Sequence, residues 1–149
     1  MSGAPSGVHS WLVLWKASRA VEARAHESIA GTGLCASDFA ILETLLHKGE
    51  LPVNAIGRKV LLTTGSITTA VGRLADRGLV ARRDDPADRR VRRVALTPAG
   101  RALIEPAFAR HAADLDAVVG VLSPAERTTL VALLRKLGTA AAGAAGGTE

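Results

Sequence analysis

Cysteine occurs once in this chain, at Cys35, and tyrosine does not occur at all. A single thiol excludes an intramolecular disulfide and any metal centre built from the cysteines of one chain. Aromatic residues make up only 3%, so Leu, Val, Ile and Ala carry the apolar content. A mix rich in Ala and Leu favours helices over a large sheet. No apolar run approaches the ~20 residues of a membrane helix. The first residues also lack the charged-then-apolar order of a signal peptide. The expectation is therefore a cytoplasmic protein with no membrane partner. Phosphate-cradling glycine loops, zinc-ligand spacings and nucleophile motifs are absent as well. His9, His26, His47 and His111 are dispersed. His111 with Asp114 and Asp116 reads as surface charge rather than a metal site, and His47 as a ring at a helix C-terminus, where positive charge is favoured, rather than a pocket residue. No catalytic residue, metal or cofactor is assigned, because an enzyme should show convergent catalytic groups and none converge here.

What is present is a folded chain with its positive charge in one place. The 149 residues are one ordinary domain's worth, 48% hydrophobic and 22% charged, which is globular rather than disordered composition. Between Arg58 and Arg93 there are ten basic residues against four acidic ones. The rest of the chain has nine against ten, so the whole net charge of +5 comes from that segment. Concentrated positive charge is the footprint of a polyanion partner, since each neutralised phosphate releases condensed counterions. Fifteen of the nineteen basic residues are Arg, which forks onto phosphates and can enter a narrow minor groove.

The pattern along the chain is helix, helix, short strand, helix, helix, hairpin, helix, helix. Val8, Trp11, Leu12, Trp15, Val21, Ala25 and Ile29 step by threes and fours along a first helix, which Gly31-Thr32-Gly33 ends. Ser37, followed by Asp38, is expected to cap a second helix that buries Phe39, Leu42, Leu45 and Leu46 and closes at Lys48-Gly49. Leu51-Pro52-Val53 fits a one-step strand, and Asn54 a cap for a short helix over 55–60. Thr63 or Thr64 caps the next helix, which runs to about Arg77 and stops at Gly78. Residues 79–83 and 92–96 alternate apolar and basic around a turn-forming tip, Asp84 to Arg90, and so form a hairpin. Thr97-Pro98 starts a helix that reaches about Val121, kinked at Pro106. Ser123-Pro124-Ala125-Glu126 opens the last helix with a capping box. That helix carries Leu130, Leu133, Leu134 and Leu137 and is expected to end at Gly138.

The helix after Thr63 has two unlike faces. Ile67, Val71 and Leu74 form a buried stripe. Gly65, Thr69, Gly72, Arg73 and Asp76 lie opposite, with Ser66 and Thr68 on the flanks. A small, hydroxylated, locally basic face suits a major groove, where hydroxyls meet base edges or phosphates and Gly65 allows close backbone approach. A short helix, a tight turn and this longer helix have helix-turn-helix proportions. The hairpin adds a wing, with Asp88-Arg89-Arg90 holding an arginine out toward a minor groove.

These residues resemble the MarR family of bacterial regulators. The resemblance lies in Asp38-Phe39-Ala40-Ile41-Leu42 before His47-Lys48-Gly49, then Ile56-Gly57-Arg58 and Thr68 through Leu74. It continues through Arg77 to Arg82, Asp88-Arg89-Arg90, Val94 to Gly100 and Leu122 to Arg127. It spans about Trp11 to Gly138. Leu45 to Gly49 together with Lys59 to Thr68 are similar to the branch that includes quinone-responsive repressors. The family likeness implies a homodimer joined by helices from both termini, which reads a pseudo-palindromic operator in double-stranded DNA. It implies that Arg90, oriented by Asp88, enters the minor groove while Ser66, Thr68, Thr69 and Arg73 face the major groove or its phosphates. It also implies a repressor released by a small, often phenolic ligand. Gly72 departs from the family, where many members carry a polar or acidic residue.

The reading is thus a mainly α winged helix-turn-helix with a small β wing and dimerisation helices from both termini. Residues 1–7 are a flexible lead-in, 8–35 and 98–138 the dimerisation helices, 36–97 the winged domain and 139–149 a flexible tail. The candidate DNA contacts are Thr64, Gly65, Ser66, Thr68, Thr69, Arg73, Asp88, Arg89 and Arg90. Trp11, Trp15, Phe39 and Leu42 could line a pocket for a small aromatic or quinone-like effector, although core packing accounts for the same residues. Cys35 is a candidate redox sensor, with an inert thiol as the plainer reading. The alternative function is a DNA-binding regulator or architectural protein without an effector. A winged helix serving only as a protein-protein module would have no need of the basic segment.

Overall fold

The computed structural model describes residues 3–145. Six helices and three strands follow in the order α1 (Gly7–Ile29), α2 (Ala36–Lys48), β1 (Leu51–Pro52), α3 (Val53–Val60), α4 (Thr64–Asp76), β2 (Val80–Asp84), β3 (Arg92–Leu96), α5 (Pro98–Val119) and α6 (Pro124–Ala145), with a single 3-10 turn at Ala30–Thr32. The mainly helical winged helix-turn-helix expected from the sequence is what forms. The chain divides into two compact units, Met1–Asp114 and Leu115–Glu149. Among the described residues no single helix is long and apolar enough to cross a membrane.

The core lies in the first unit. Phe39, Ile41, Leu42 and Leu45 of α2 pack with Ile56 of α3, Ile67, Val71 and Leu74 of α4, Val94 of β3 and Ile104 of α5, all nearly without solvent exposure. The sheet is antiparallel in the order β1-β3-β2, with Leu51 opposite Val94 and Arg82 opposite Val94 on the other side. Central β3 buries Val94, and β1 sits at the edge, where Pro52 needs no partner for the N–H it lacks. Buried Ser28 on α1 donates its hydroxyl to the Ala25 carbonyl at 2.7 Å and pairs with Nδ1 of His111. The His111 ring lies 4.9 Å from that of Phe39, so these residues tie α1, α2 and the first part of α5 together.

Several boundaries differ from the sequence expectation. Cys35, not Ser37, stands at the N-cap of α2, with no side-chain cap hydrogen bond, and Ser37 falls inside the helix. Pro52 rather than Asn54 precedes α3, since its extended φ/ψ leads straight from β1 into the first turn. The capping of α4 by Thr63 holds, its hydroxyl accepting from the Ser66 N–H at 3.2 Å. So does the capping box of α6, in which Glu126 accepts from the Ser123 N–H at 2.8 Å. The last helix passes through Gly138 and continues to Ala145. The alanines that flank the glycine are the strongest helix formers and outweigh its cost of ~1 kcal/mol. The expected flexible tail is therefore helical over 139–145, while 146–149 lie outside the described residues. At the other end, Ser6 caps α1 and Gly7 is already helical, and Met1 and Ser2 lie outside the description.

Two backbone features set up the reading elements. Gly78 (φ 72°) takes the left-handed turn that ends α4 and sends the chain into β2. Leu61, between α3 and α4, takes φ 58° without being a glycine, and it is 90% exposed. The left-handed region costs such a residue roughly 1–2 kcal/mol, so the tight turn between the two helices is imposed by the packing of Ile56 and Ile67 on either side.

Candidate nucleic-acid interface

On α4, Ile67, Ala70, Val71 and Leu74 are buried, while Thr64, Gly65, Ser66, Thr68 and Thr69 are exposed together on the outer face. The hydroxyls there have defined roles. Thr68 donates to the Thr64 carbonyl at 2.8 Å and Thr69 to the Gly65 carbonyl at 3.0 Å. With their protons turned back onto the helix, both threonines present a methyl group and oxygen lone pairs outward. That pair suits a thymine methyl or an adenine or cytosine amino group. Ser66 instead accepts from the Thr63 hydroxyl at 3.0 Å, which leaves its own proton free to donate. A Cβ on Gly65 would meet nothing within 4 Å, so this edge is open to a partner.

The helix pair is close-packed behind that face. Gly57 of α3 brings its backbone against Ile67, where an added Cβ would lie 3.2 Å from Ile67 Cγ2. The absence of a side chain at Gly57 is what lets α3 and α4 approach.

The wing is organised by its own carboxylates. Asp85 accepts from the N–H groups of Ala87 and Asp88 at 2.8 and 3.2 Å, which folds the tip. Those bonds, the one from Ala87 first, hold its carboxyl below the usual range. Asp88 Oδ1 accepts from the Arg90 N–H at 3.0 Å and from its Nε at 3.1 Å, while Oδ2 accepts from Nη2 at 3.1 Å. The Arg90 guanidinium accordingly lowers the Asp88 pKa. Held in this way, the Arg90 side chain remains 91% exposed. The aspartate-oriented arginine read from the sequence is present, and Arg89 beside it is also exposed.

At the wing's base, Glu50 stands between two arginines from the hairpin. Nε of Arg83 donates to it at 2.9 Å and Nε of Arg93 at 2.7 Å, and Arg93 also reaches Asp85 at 3.3 Å. These bonds, Arg83's first, lower the Glu50 carboxyl to about 2. Sequence reading gave Glu50 no role, because its partners lie far along the chain.

Arg73 does not stand as expected. Its Nε donates to Asp38 Oδ2 at 3.0 Å and its Nη2 to Oδ1, so the fork faces α2 rather than a groove. Asp38 is 2% exposed. The carboxylate raises the Arg73 pKa further above its already high value. Arg73 Nη2 also lies 3.8 Å from Sγ of exposed Cys35, whose sulfur is 3.2 Å from the Ser37 hydroxyl.

Arg82 was missed by the sequence reading and lies on this surface. Its Nη1 is 3.9 Å from where a Cβ on Gly72 would be, so the small residue at position 72 leaves room for a guanidinium beside α4. Arg82, Arg90 and Arg92 line a cleft of about 350 Å³ together with Val53 of α3 and Thr68 and Val71 of α4. The alternation of β2 was the available signal. The four proposed pocket residues fall into two groups. Phe39 and Leu42 are core residues, and Trp11 and Trp15 are 59% and 46% exposed on α1.

Comparison with known proteins bears on this geometry. The model of the MarR family matches residues 34–91, from the start of α2 to the tip of the wing. The HTH-type transcriptional regulator MhqR of Bacillus subtilis is 38% identical over 128 residues, 86% of this chain and 88% of that protein. Among solved structures, Bordetella bronchiseptica BpsR, whose DNA binding is regulated by 6-hydroxynicotinic acid, is 32% identical with a TM-score of 0.76 and covers 87% of this chain and 98% of its own. A probable transcriptional regulator from Pseudomonas aeruginosa is 35% identical with a TM-score of 0.74, covering 85% and 94%.

Proposed function

The chain belongs to the MarR family of transcriptional regulators, and from that premise we propose a homodimeric, cytoplasmic repressor that a small molecule removes from its operator. In this reading α4 lies in the major groove with Thr64, Gly65, Ser66, Thr68 and Thr69 at the bases or phosphates. The wing lies beside it, with Arg90 in the minor groove and Arg89 on the backbone. The observation that carries the reading is the Asp88–Arg90 pair. An arginine held bidentate by its neighbour yet 91% exposed is pre-organised for a partner outside the chain.

Two copies follow from surface and symmetry. Helix α1 leaves Val8, Trp11, Val13 and Trp15 exposed, and α6 exposes Leu130, Val131, Leu133, Leu134 and Leu137. Apolar faces of this extent are usual for an interface and unusual for a monomer. A two-fold dimer would place two α4 helices on a pseudo-palindrome. For the effector we favour a small aromatic ligand, phenolic or quinone-like, against Trp11 and Trp15. The relative BpsR responds to a hydroxylated aromatic acid, which supports that class. A thermal-shift series with phenols and quinones tests it, and no binder would count against it. An oxidant route would run through Cys35, the thiol reducing peroxide to water as it becomes a sulfenic acid. Unchanged operator affinity after mild peroxide would remove that route.

The deciding experiment is a gel shift with the intergenic DNA upstream of the protein's own gene. Arg90→Ala should weaken specific binding by about tenfold to a hundredfold. Equal affinity for wild type and variant would mean that the wing does not read the groove.

A further inference from the structure

Asp38 is the one buried charged side chain among the described residues. Its helix is fixed by Phe39, Leu42 and Leu45 in the core, yet both carboxylate oxygens are directed to Arg73 on α4. The Arg73 side chain is 45% exposed, and a half-exposed ion pair is a weak device for stability, because desolvation of the carboxylate and solvent screening offset the attraction. What a bidentate pair supplies is orientation, since a planar fork meets a carboxylate in one geometry.

The reading helix has a particular need for that. Its buried stripe of Ile67, Val71 and Leu74 decides which side faces inward but tolerates small rotations and axial slides. The outward groups are short: Ser66, Thr68 and Thr69 reach only a bond or two beyond the helix. Side chains this short cannot compensate for a misplaced backbone, so the helix must be held to a fraction of an ångström. Arg73 sits one turn beyond Thr69 and connects α4 to Asp38 in the first turn of α2.

We propose that Asp38 and Arg73 are a positioning pair for DNA reading, which fixes the rotation and depth of α4, and that Arg73 does not itself neutralise a phosphate. This rests on the reading of α4 as the groove helix. It assigns to Arg73 a role different from that of the free cations Arg82 and Arg89, for which no ion pair is present among the described residues.

The test uses the full chain and two duplexes, the upstream intergenic segment and a scrambled sequence of equal length, titrated over a range of salt. Arg73→Lys keeps the charge and removes the fork. The double variant Asp38→Asn with Arg73→Gln removes both charges and keeps a hydrogen-bonded pair. With Arg73→Lys, the preference for the intergenic duplex should fall by about tenfold, with the salt dependence of binding unchanged. The neutral pair should keep both the preference and the salt dependence. The opposite pattern overturns the proposal: lysine tolerated, and the neutral pair weakening both duplexes alike with a salt slope shallower by about 0.9 per site. Unchanged binding in both variants overturns it too. If Arg73→Lys does not fold, the neutral pair decides alone, by retained preference or by lost slope. A wild-type protein that shows no preference between the duplexes removes the groove reading, and the positioning pair with it.

Discussion

Replacing Gly100 by alanine should destabilise the fold, although the position is helical and alanine is the better helix former. Gly100 lies in the first turn of α5, directly over the backbone of Leu79. A Cβ there would stand 1.9 Å from the Leu79 carbonyl oxygen and 2.9 Å from its carbon. Neither partner is a flexible side chain, so the two segments must separate by about 1 Å or more before van der Waals contact is restored. That separation acts on a set of bonds joining α5 to the end of α4. The Leu79 carbonyl accepts from the Thr97 N–H at 3.1 Å. The Thr97 hydroxyl donates to the Gly78 carbonyl at 2.6 Å and accepts from the Gly100 N–H at 3.0 Å.

Overpacking a tight contact costs about 1–3 kcal/mol, and a strained or lost hydrogen bond to a buried carbonyl about 1–3 kcal/mol more. Helix propensity returns about 1 kcal/mol. The net loss is about 1–5 kcal/mol, set against the roughly 5–15 kcal/mol that holds a domain together. For a chain of this size the melting temperature should fall by about 2–20 °C. The assay is urea and thermal unfolding of the full chain at fixed protomer concentration, because dimerisation would couple stability to concentration. A variant as stable as the wild type, or more so, would refute the packing of α5 on Gly78-Leu79.

Gly65→Ala should behave in the opposite way. The open space around its Cβ position leaves stability equal or slightly raised, while operator affinity in the gel shift falls as the backbone is kept from the DNA. Glu50→Gln should shift stability with pH. The folded carboxyl is lowered to about 2 from an ordinary 4.5, so its contribution is complete above pH 4.5 and is lost as pH falls through about 2. Urea unfolding from pH 7 downward should therefore show a gap between wild type and variant that closes across that window, and a constant gap would count against it.

The parts of the fold that were legible in the sequence are those whose partners are near in the chain. Asp88 and Arg90 are two residues apart, and the caps at Thr63 and Ser123 act over three. Their local chemistry determines the outcome. Asp38 and Arg73 are 35 residues apart, and Glu50 and Arg93 are 43 apart, so no spacing rule connects them. The result was that Arg73 was read as a groove contact from its helical angle, when a buried carboxylate on another helix takes its fork. The cap of α2 was missed because Ser37 is the better capping residue by type, while the turn out of Gly33 brings Cys35 into that position.

The same distinction changes the meaning of the basic segment. Five of its ten cations are held by carboxylates: Arg73 by Asp38, Arg83 and Arg93 by Glu50, Arg90 by Asp88 and Arg92 by Asp84. Two of those carboxylates, Asp38 and Glu50, come from outside the segment, so a count taken within it overstates the charge available to DNA. Two kinds of arginine share one short stretch of sequence. Arg73, Arg83 and Arg93 serve to fix α4 and the wing, their forks held by carboxylates that are themselves buried or half-buried. Arg82 and Arg89, with Arg58 and Lys59 at the end of α3, have no such partner among the described residues and remain exposed. Arg90 is the intermediate case, paired and exposed at once, because its carboxylate sits behind the guanidinium in the wing tip. Orientation and charge are therefore supplied by different residues, and the surplus that first marked the segment as a polyanion site is concentrated on the few side chains that nothing within the chain holds.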